Sequence, residues 1–121
     1  MAEGAYLYDH VSHALNLVVG SDLRRVTGYQ DFVDEAPLDF VYVADHTRMA
    51  MVPVAYRESY ASAAAGAIAQ NVYLFSASTG LSTLIRAWIE RTAIADALGL
   101  SHDQQVLLSH TVGYPKNDSE V

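Results

Sequence analysis

The chain carries no charged residue between Glu58 and Arg86. That run, SYASAAAGAIAQNVYLFSASTGLSTLI, has the length of a membrane span, so its nature constrains every other assignment. A spanning helix wants about 20 predominantly apolar residues. Here alanine dominates the first half, and Ser59, Ser62, Gln70, Asn71, Ser76, Ser78 and Thr79 interrupt the run. Polar groups at that density are costly in lipid unless paired. Alanine is also the strongest helix former. The run therefore reads as a soluble helix from Tyr56 to Thr79 with Gly80 as its stop. Ile68, Val72 and Phe75 make one apolar stripe at helical spacing, and Ser62, Gly66, Ala69, Tyr73 and Ser76 make a second of mostly small residues. A helix apolar on all sides must be enclosed on all sides. A chain of 121 residues can hardly do that alone, which predicts a homodimer with this helix at its interface.

Composition agrees. Charged residues make up 17% of the chain, below the usual quarter, as expected when surface is hidden between subunits. A net charge of -7 repels phosphate backbones and excludes nucleic-acid binding as a leading function. The absence of cysteine excludes disulfides, thiolate zinc sites, iron–sulfur clusters and cysteine nucleophiles. The N-terminus, MAEGAYLYDH, has neither a basic start nor an apolar signal core, so a cytoplasmic protein is expected.

The pattern over the rest of the chain is α+β within a single domain, 1–121. AYLYD and ALNLVV alternate around a short polar loop and read as a hairpin. SDLRRVTGYQDFVDEAP reads as one broken or two short helices, opened by Ser21 or Asp22 and ended by Pro37. LDFVYVAD is nearly continuous in apolar character and is expected at the centre of its sheet. LSTLIRAW is a further strand, ERTAIADALGL a short amphipathic helix closed by Gly99, and QVLLSHTVGYP a final strand. Ser101 with Gln104 has the spacing to open one more helical turn.

Catalytic signatures are sparse. The chain has no GxGxxG, P-loop or GxSxG. His10 and His13 have a chelating spacing but sit in a loop, where histidines are mostly solvated. Asp45 and His46 are adjacent at a strand end, and adjacent strand residues face opposite ways, which favours a turn over an acid–base pair. His102 and Asp103 read as a turn, His110 as a satisfied sheet residue, and Arg24 and Arg25 as a solvated helix face. Arg86 stands apart. It breaks the uncharged run between Ile85 and Ala87, and must pair with a carboxylate such as Glu90 or Asp45, reach solvent, or meet an anionic ligand.

AAAGAIAQNVYLFSASTGLSTLIRAW, followed by a short helix and then VLLSHTVGYPK, resembles the C-terminal part of the nitroreductase-like, FMN-dependent oxidoreductases. The preceding AYLYDHVSHALNLVVGSDLRRVTGYQDF and APLDFVYVADHTRM are similar to the middle of a short subgroup of that family. The ordered combination of QNVYL, GLST and VGYP carries the resemblance. It implies a mainly antiparallel sheet, a long central helix at a homodimer interface, and FMN bound between subunits. It further implies hydride transfer from NAD(P)H through the flavin to a small organic acceptor such as a nitroaromatic or quinone. On the family's pattern, Leu84, Ile85, Arg86 and Ala87 lie beside the flavin ring and address it with backbone groups. Ala87 stands where members often have glycine, and would crowd the flavin if its φ were positive. Lys116 is the candidate for the FMN phosphate. The family's N-terminal Arg-Arg-Ser phosphate-binding section has no counterpart here, so the resemblance is to a shortened member. A non-catalytic dimer module without stable flavin is the alternative expectation.

Overall fold

The computed structural model describes residues 1–28 and 35–115. In chain order it has strands β1 (Ala5–Asp9), β2 (Ala14–Val19) and β3 (Leu38–Asp45), then helix α1 (Val54–Thr79). Strand β4 (Ser82–Arg86), helix α2 (Arg91–Leu98) and strand β5 (Gln104–Gly113) complete it. Single 3-10 turns occupy Arg24–Thr27 and His46–Met49.

β1 and β2 form the expected hairpin as a separate two-stranded sheet. Its loop is tied by Asp9, whose Oδ1 accepts the Val11 N–H at 2.9 Å and the Ser12 N–H at 3.4 Å. Such a side-chain turn suits a short acidic residue at a strand end. Leu7, Leu15 and Leu17 of this hairpin are exposed.

The main sheet is antiparallel in the order β3-β5-β4. β5 is therefore its centre, and among the described residues β3 lies at an edge, contrary to expectation. The apolar continuity of β3 has another cause: helices cover both faces of the sheet. On one side Ala44 packs with Ala65 of α1 and with Leu107, with Tyr42 beside them. On the other, Val41 packs against the cluster of Ile89, Ile94 and Val106 that α2 closes. Burial of both faces suffices for a continuous apolar run, whatever the strand's rank in the sheet.

α1 holds the greater part of the uncharged run, from Ser59 to Thr79, and ends as predicted. Gly80 adopts φ 77, its N–H bonds to Ser76 O, and the Leu81 N–H reaches the same carbonyl at 2.8 Å. A left-handed residue at this point favours glycine. Small residues face the sheet, with Ala65, Ala69 and Ser76 buried, while the larger Ile68, Leu74 and Phe75 are exposed. No helix of the described residues is long and apolar enough to cross a membrane.

α2 is likewise closed by a left-handed glycine, Gly99 at φ 69. Ser101 and Gln104 do not open a further helix. The Ser101 N–H donates to Gln104 Oε1 and the Gln104 N–H to Ser101 O, both at 3.0 Å, making a turn into β5. In the segment before β3, the helical expectation reduces to one 3-10 turn over Arg24–Thr27, with Asp22 Oδ1 accepting the Arg24 N–H at 3.1 Å. The part of that expectation falling on 29–34 lies outside the described residues.

Candidate functional site

β4 follows Gly80 directly, so the end of α1 fixes where Leu84, Ile85, Arg86 and Ala87 lie. Alternation along the strand sends these side chains to opposite faces. Thr83 and Ile85 turn towards α1, and Ser82, Leu84 and Arg86 towards the α2 side.

On the α1 face the strand meets a polar cluster around His110. This histidine is fully buried in β5, and the ring of Tyr73 from α1 lies 5.0 Å away, centroid to centroid. Its Nε2 is 2.5 Å from Thr83 Oγ1, and its Nδ1 is 2.8 Å from Tyr42 Oη. Thr83 donates its single hydroxyl proton to Thr111 O at 2.9 Å, so it must accept from Nε2–H. Nδ1 then accepts from Tyr42. Burial lowers the His110 pKa, with Arg86 adding to the effect, and burial pushes the Tyr42 hydroxyl up to about 12. The satisfied-sheet reading of His110 is what the structure shows. Tyr73 Oη also accepts the Ile85 N–H at 2.8 Å, so that donor of the expected flavin-facing segment is already engaged.

On the α2 face, Arg86 is buried, and its partner is a residue that sequence reasoning passed over. Arg86 Nη2 lies 3.5 Å from Asp39 Oδ1 and bonds to Thr111 Oγ1, which in turn donates to Asp39 Oδ1 at 2.6 Å. The pair joins β4 to β3 across β5. The side chains of Arg86 and Asp39 are 3% and 1% exposed. Burial raises the Asp39 carboxyl, against the pull of Thr111 and Arg86, and lowers the Arg86 guanidinium, against the pull of Asp39. The sequence did hold a signal: Asp39 is an acid one step inside an otherwise apolar strand end, and such a group needs a donor or a cation.

A groove of about 430 Å³ opens on the α2 face beside this pair. Ser82 and Leu84 of β4, Thr111 and Gly113 of β5, Pro37 and Tyr114 line it. Leu84 is exposed there, and Ala87 is exposed just beyond the strand. Ala87 is not in the left-handed region; among the described non-glycine residues only His13 has a positive φ. The condition under which its methyl would crowd a ligand is not met. The loop after Ala87 is held to β5 by Arg91, which donates to Ala87 O at 2.9 Å and to Leu107 O at 2.8 Å. Lys116 lies outside the described residues.

The remaining candidates are structural. Asp45 Oδ1 accepts from Thr47 N at 3.0 Å and from its hydroxyl at 2.6 Å, while His46 Nε2 bonds to Gln105 Oε1 at 2.8 Å. His13 Nδ1 is 2.6 Å from Tyr8 Oη, and Arg24 pairs with Asp22 at 2.7 Å.

The groove suits a largely neutral molecule. Its volume falls in the range of small-molecule and cofactor sites. Leu84 and Tyr114 offer apolar contact, and Ser82 and Thr111 offer hydroxyls. Among its described lining residues none is basic and Glu35 is acidic, so the described lining offers nothing to neutralise a phosphate.

The Nitroreductase family model matches residues 4–114. A crystal structure from Ralstonia eutropha JMP134, described as a "putative nitroreductase", matches with a TM-score of 0.88 and 47% sequence identity. The alignment covers 95% of this chain and 55% of that one, so the chain spans about half the length of that relative. No curated protein matches.

Proposed function

The chain belongs to the nitroreductase family, and from that premise we propose that it binds FMN and passes hydride from NAD(P)H to a small organic acceptor, such as a nitroaromatic or quinone. The observation that carries the proposal is the groove beside Leu84, which alone of Leu84, Ile85, Arg86 and Ala87 lines it. When bound, FMN supplies the hydride-accepting chemistry; the protein positions it and shields it from water.

The residues divide that work. Leu84 and Tyr114 give the ring an apolar surface, and Ser82 and Thr111 offer hydroxyls to its polar edge. Ile85 holds β4 to α1 through Tyr73. Arg86 holds it to β3 with its guanidinium turned inward, so this residue would address the ring through backbone atoms. The Ala87 carbonyl is engaged by Arg91 and by the Ile89 N–H. Lys116 follows Tyr114 and Pro115 closely in sequence and is the candidate counter-charge for the phosphate. A second copy of the chain would cover Leu74 on the outer face of α1, and Ile68 and Phe75 on its flank, where they line a groove with Leu38, Phe40 and Val112, completing a homodimer. The reading also carries a cytoplasmic protein, where NAD(P)H is available.

One observation favours a second reading, a dimer module without stable flavin: the described lining of the groove holds no basic side chain. A single experiment separates the two. FMN is added to the purified protein, excess is removed, and NADH or NADPH is supplied without oxygen. Loss of the flavin's visible absorbance supports the oxidoreductase; a colourless protein after FMN removal supports the module.

A further inference from the structure

We propose that the groove beside Leu84 recognises small organic cations with an apolar body, and that Glu35 is its counter-charge and specificity-determining residue. The inference goes beyond the FMN reading above and needs only the groove. Where a flavin ring occupies that groove, a cation of this kind competes with it.

Three observations carry the inference. First, the groove holds a carboxylate with nothing to balance it. Glu35 lines the groove, is exposed, and has no ion-pair partner among the described residues. No described lining residue is basic. Arg24 reaches the neighbouring Ala36 carbonyl at 2.9 Å, but Asp22 holds its guanidinium at 2.7 Å and 2.9 Å, and Arg24 does not line the groove. The chain as a whole carries a net charge of -7, so its field also draws cations.

Second, the wall offers little to an anion. Thr111 gives its one hydroxyl proton to Asp39 Oδ1 at 2.6 Å, so towards a ligand it can only accept. The Ser82 hydroxyl can turn either way. A bound carboxylate or phosphate would face Glu35 with no counter-charge among the described lining residues. Third, the remaining wall is apolar and open. Leu84 and Tyr114 line the groove and are 46% and 77% exposed. An aromatic ring attracts a cation to its face, and both residues cover an apolar body. A bare metal ion is a poor fit, because a hard cation wants several oxygen ligands. Among the described residues no group of three or more His, Asp or Glu could hold one.

The test uses three probes with one phenylmethyl body: benzyltrimethylammonium, benzyl alcohol and phenylacetate. NMR titration of the purified full chain without added FMN follows the Leu84 methyl and Tyr114 ring resonances. The wild type is expected to bind the cation about tenfold more tightly than the anion, with the alcohol between. Glu35→Gln should bring cation and anion to within about threefold of each other. Glu35 is exposed, so this substitution removes the charge and leaves the core intact. Equal affinities in the wild type, a preference that survives Glu35→Gln, or resonances of Leu84 and Tyr114 that do not move overturn the proposal. Ionic strength gives a second measurement. The preference should narrow as salt screens Glu35, and a preference indifferent to salt also overturns the proposal. FMN uptake is scored separately. A chain that prefers the cation but takes up no FMN refutes only the flavin reading, and one that takes up FMN without preferring the cation refutes only this proposal.

Discussion

The buried histidine of β5 makes a quantitative prediction about pH. His110 is fully buried, and both ring nitrogens are committed while the ring is neutral: Nε2–H donates to Thr83 and Nδ1 accepts from Tyr42. Charging the ring places a proton on Nδ1, where the Tyr42 hydroxyl now points its own. Tyr42 cannot escape by ionising, because burial holds its pKa up at about 12. The folded-state pKa of His110 thus lies below the ordinary 6.5. A base with a depressed folded pKa contributes stability above its unfolded pKa and loses it as pH falls towards the folded value. One proton taken up on unfolding corresponds to about 1.4 kcal/mol per pH unit. Between pH 7.5 and 5.5, spanning the unfolded value, up to about 1.4 kcal/mol of unfolding free energy is lost through this group.

Urea unfolding of wild type and His110→Gln at both pH values measures it. Glutamine destabilises at either pH, but it does not titrate, so the change between the two pH values should be smaller in the variant, by at most about 1.4 kcal/mol. His10, His13 and His102 are exposed and common to both proteins, so their contribution cancels in the comparison. An equal pH dependence in the two proteins would refute the assignment of a buried neutral His110.

Three other outcomes follow from packing and pairing. Arg86→Met should cost about 3–5 kcal/mol in denaturant unfolding by stranding the Asp39 carboxylate, while Arg86→Met with Asp39→Leu should recover most of it; a double variant no better than the single would contradict the pairing. Ile94→Ala, at a fully buried position between Ile89 and Val106, should cost about 2–5 kcal/mol in the same assay. Tyr73→Phe removes the acceptor for the Ile85 N–H and should cost about 1–3 kcal/mol, with faster amide exchange at Ile85 than at its β4 neighbours.

Local features of the chain were the most legible in the sequence. The hairpin strands, the start of β3 and the two glycine stops at Gly80 and Gly99 coincide with the structure, because alternation, β-branching and left-handed caps act within a few residues. Sheet order was not legible. The apolar run of β3 reports that both its faces are covered, and that property does not distinguish an edge from a centre. The same limit applies to the site. Arg86 stood out because its charge ends a long uncharged run, yet Asp39 is far from it in sequence, and only strand pairing through β5 brings them together. Nearby acids such as Glu90 were the natural expectation from the sequence alone. Tyr73 and His110 were likewise assigned to separate elements, and their meeting across the sheet face depends on how α1 crosses β4 and β5.

The central claim is that flavin occupies the groove beside Leu84. An equilibrium titration of the chain with FMN, followed by the shift of the flavin's visible spectrum, tests it most directly when paired with Leu84→Glu. Leu84 is exposed, so the substitution leaves the core intact while placing a charge on the groove wall. The account predicts saturable binding by the wild-type chain and an affinity weakened by about tenfold or more, at least 1.4 kcal/mol, in the variant. No binding by the wild type, or equal affinity in both, would contradict it.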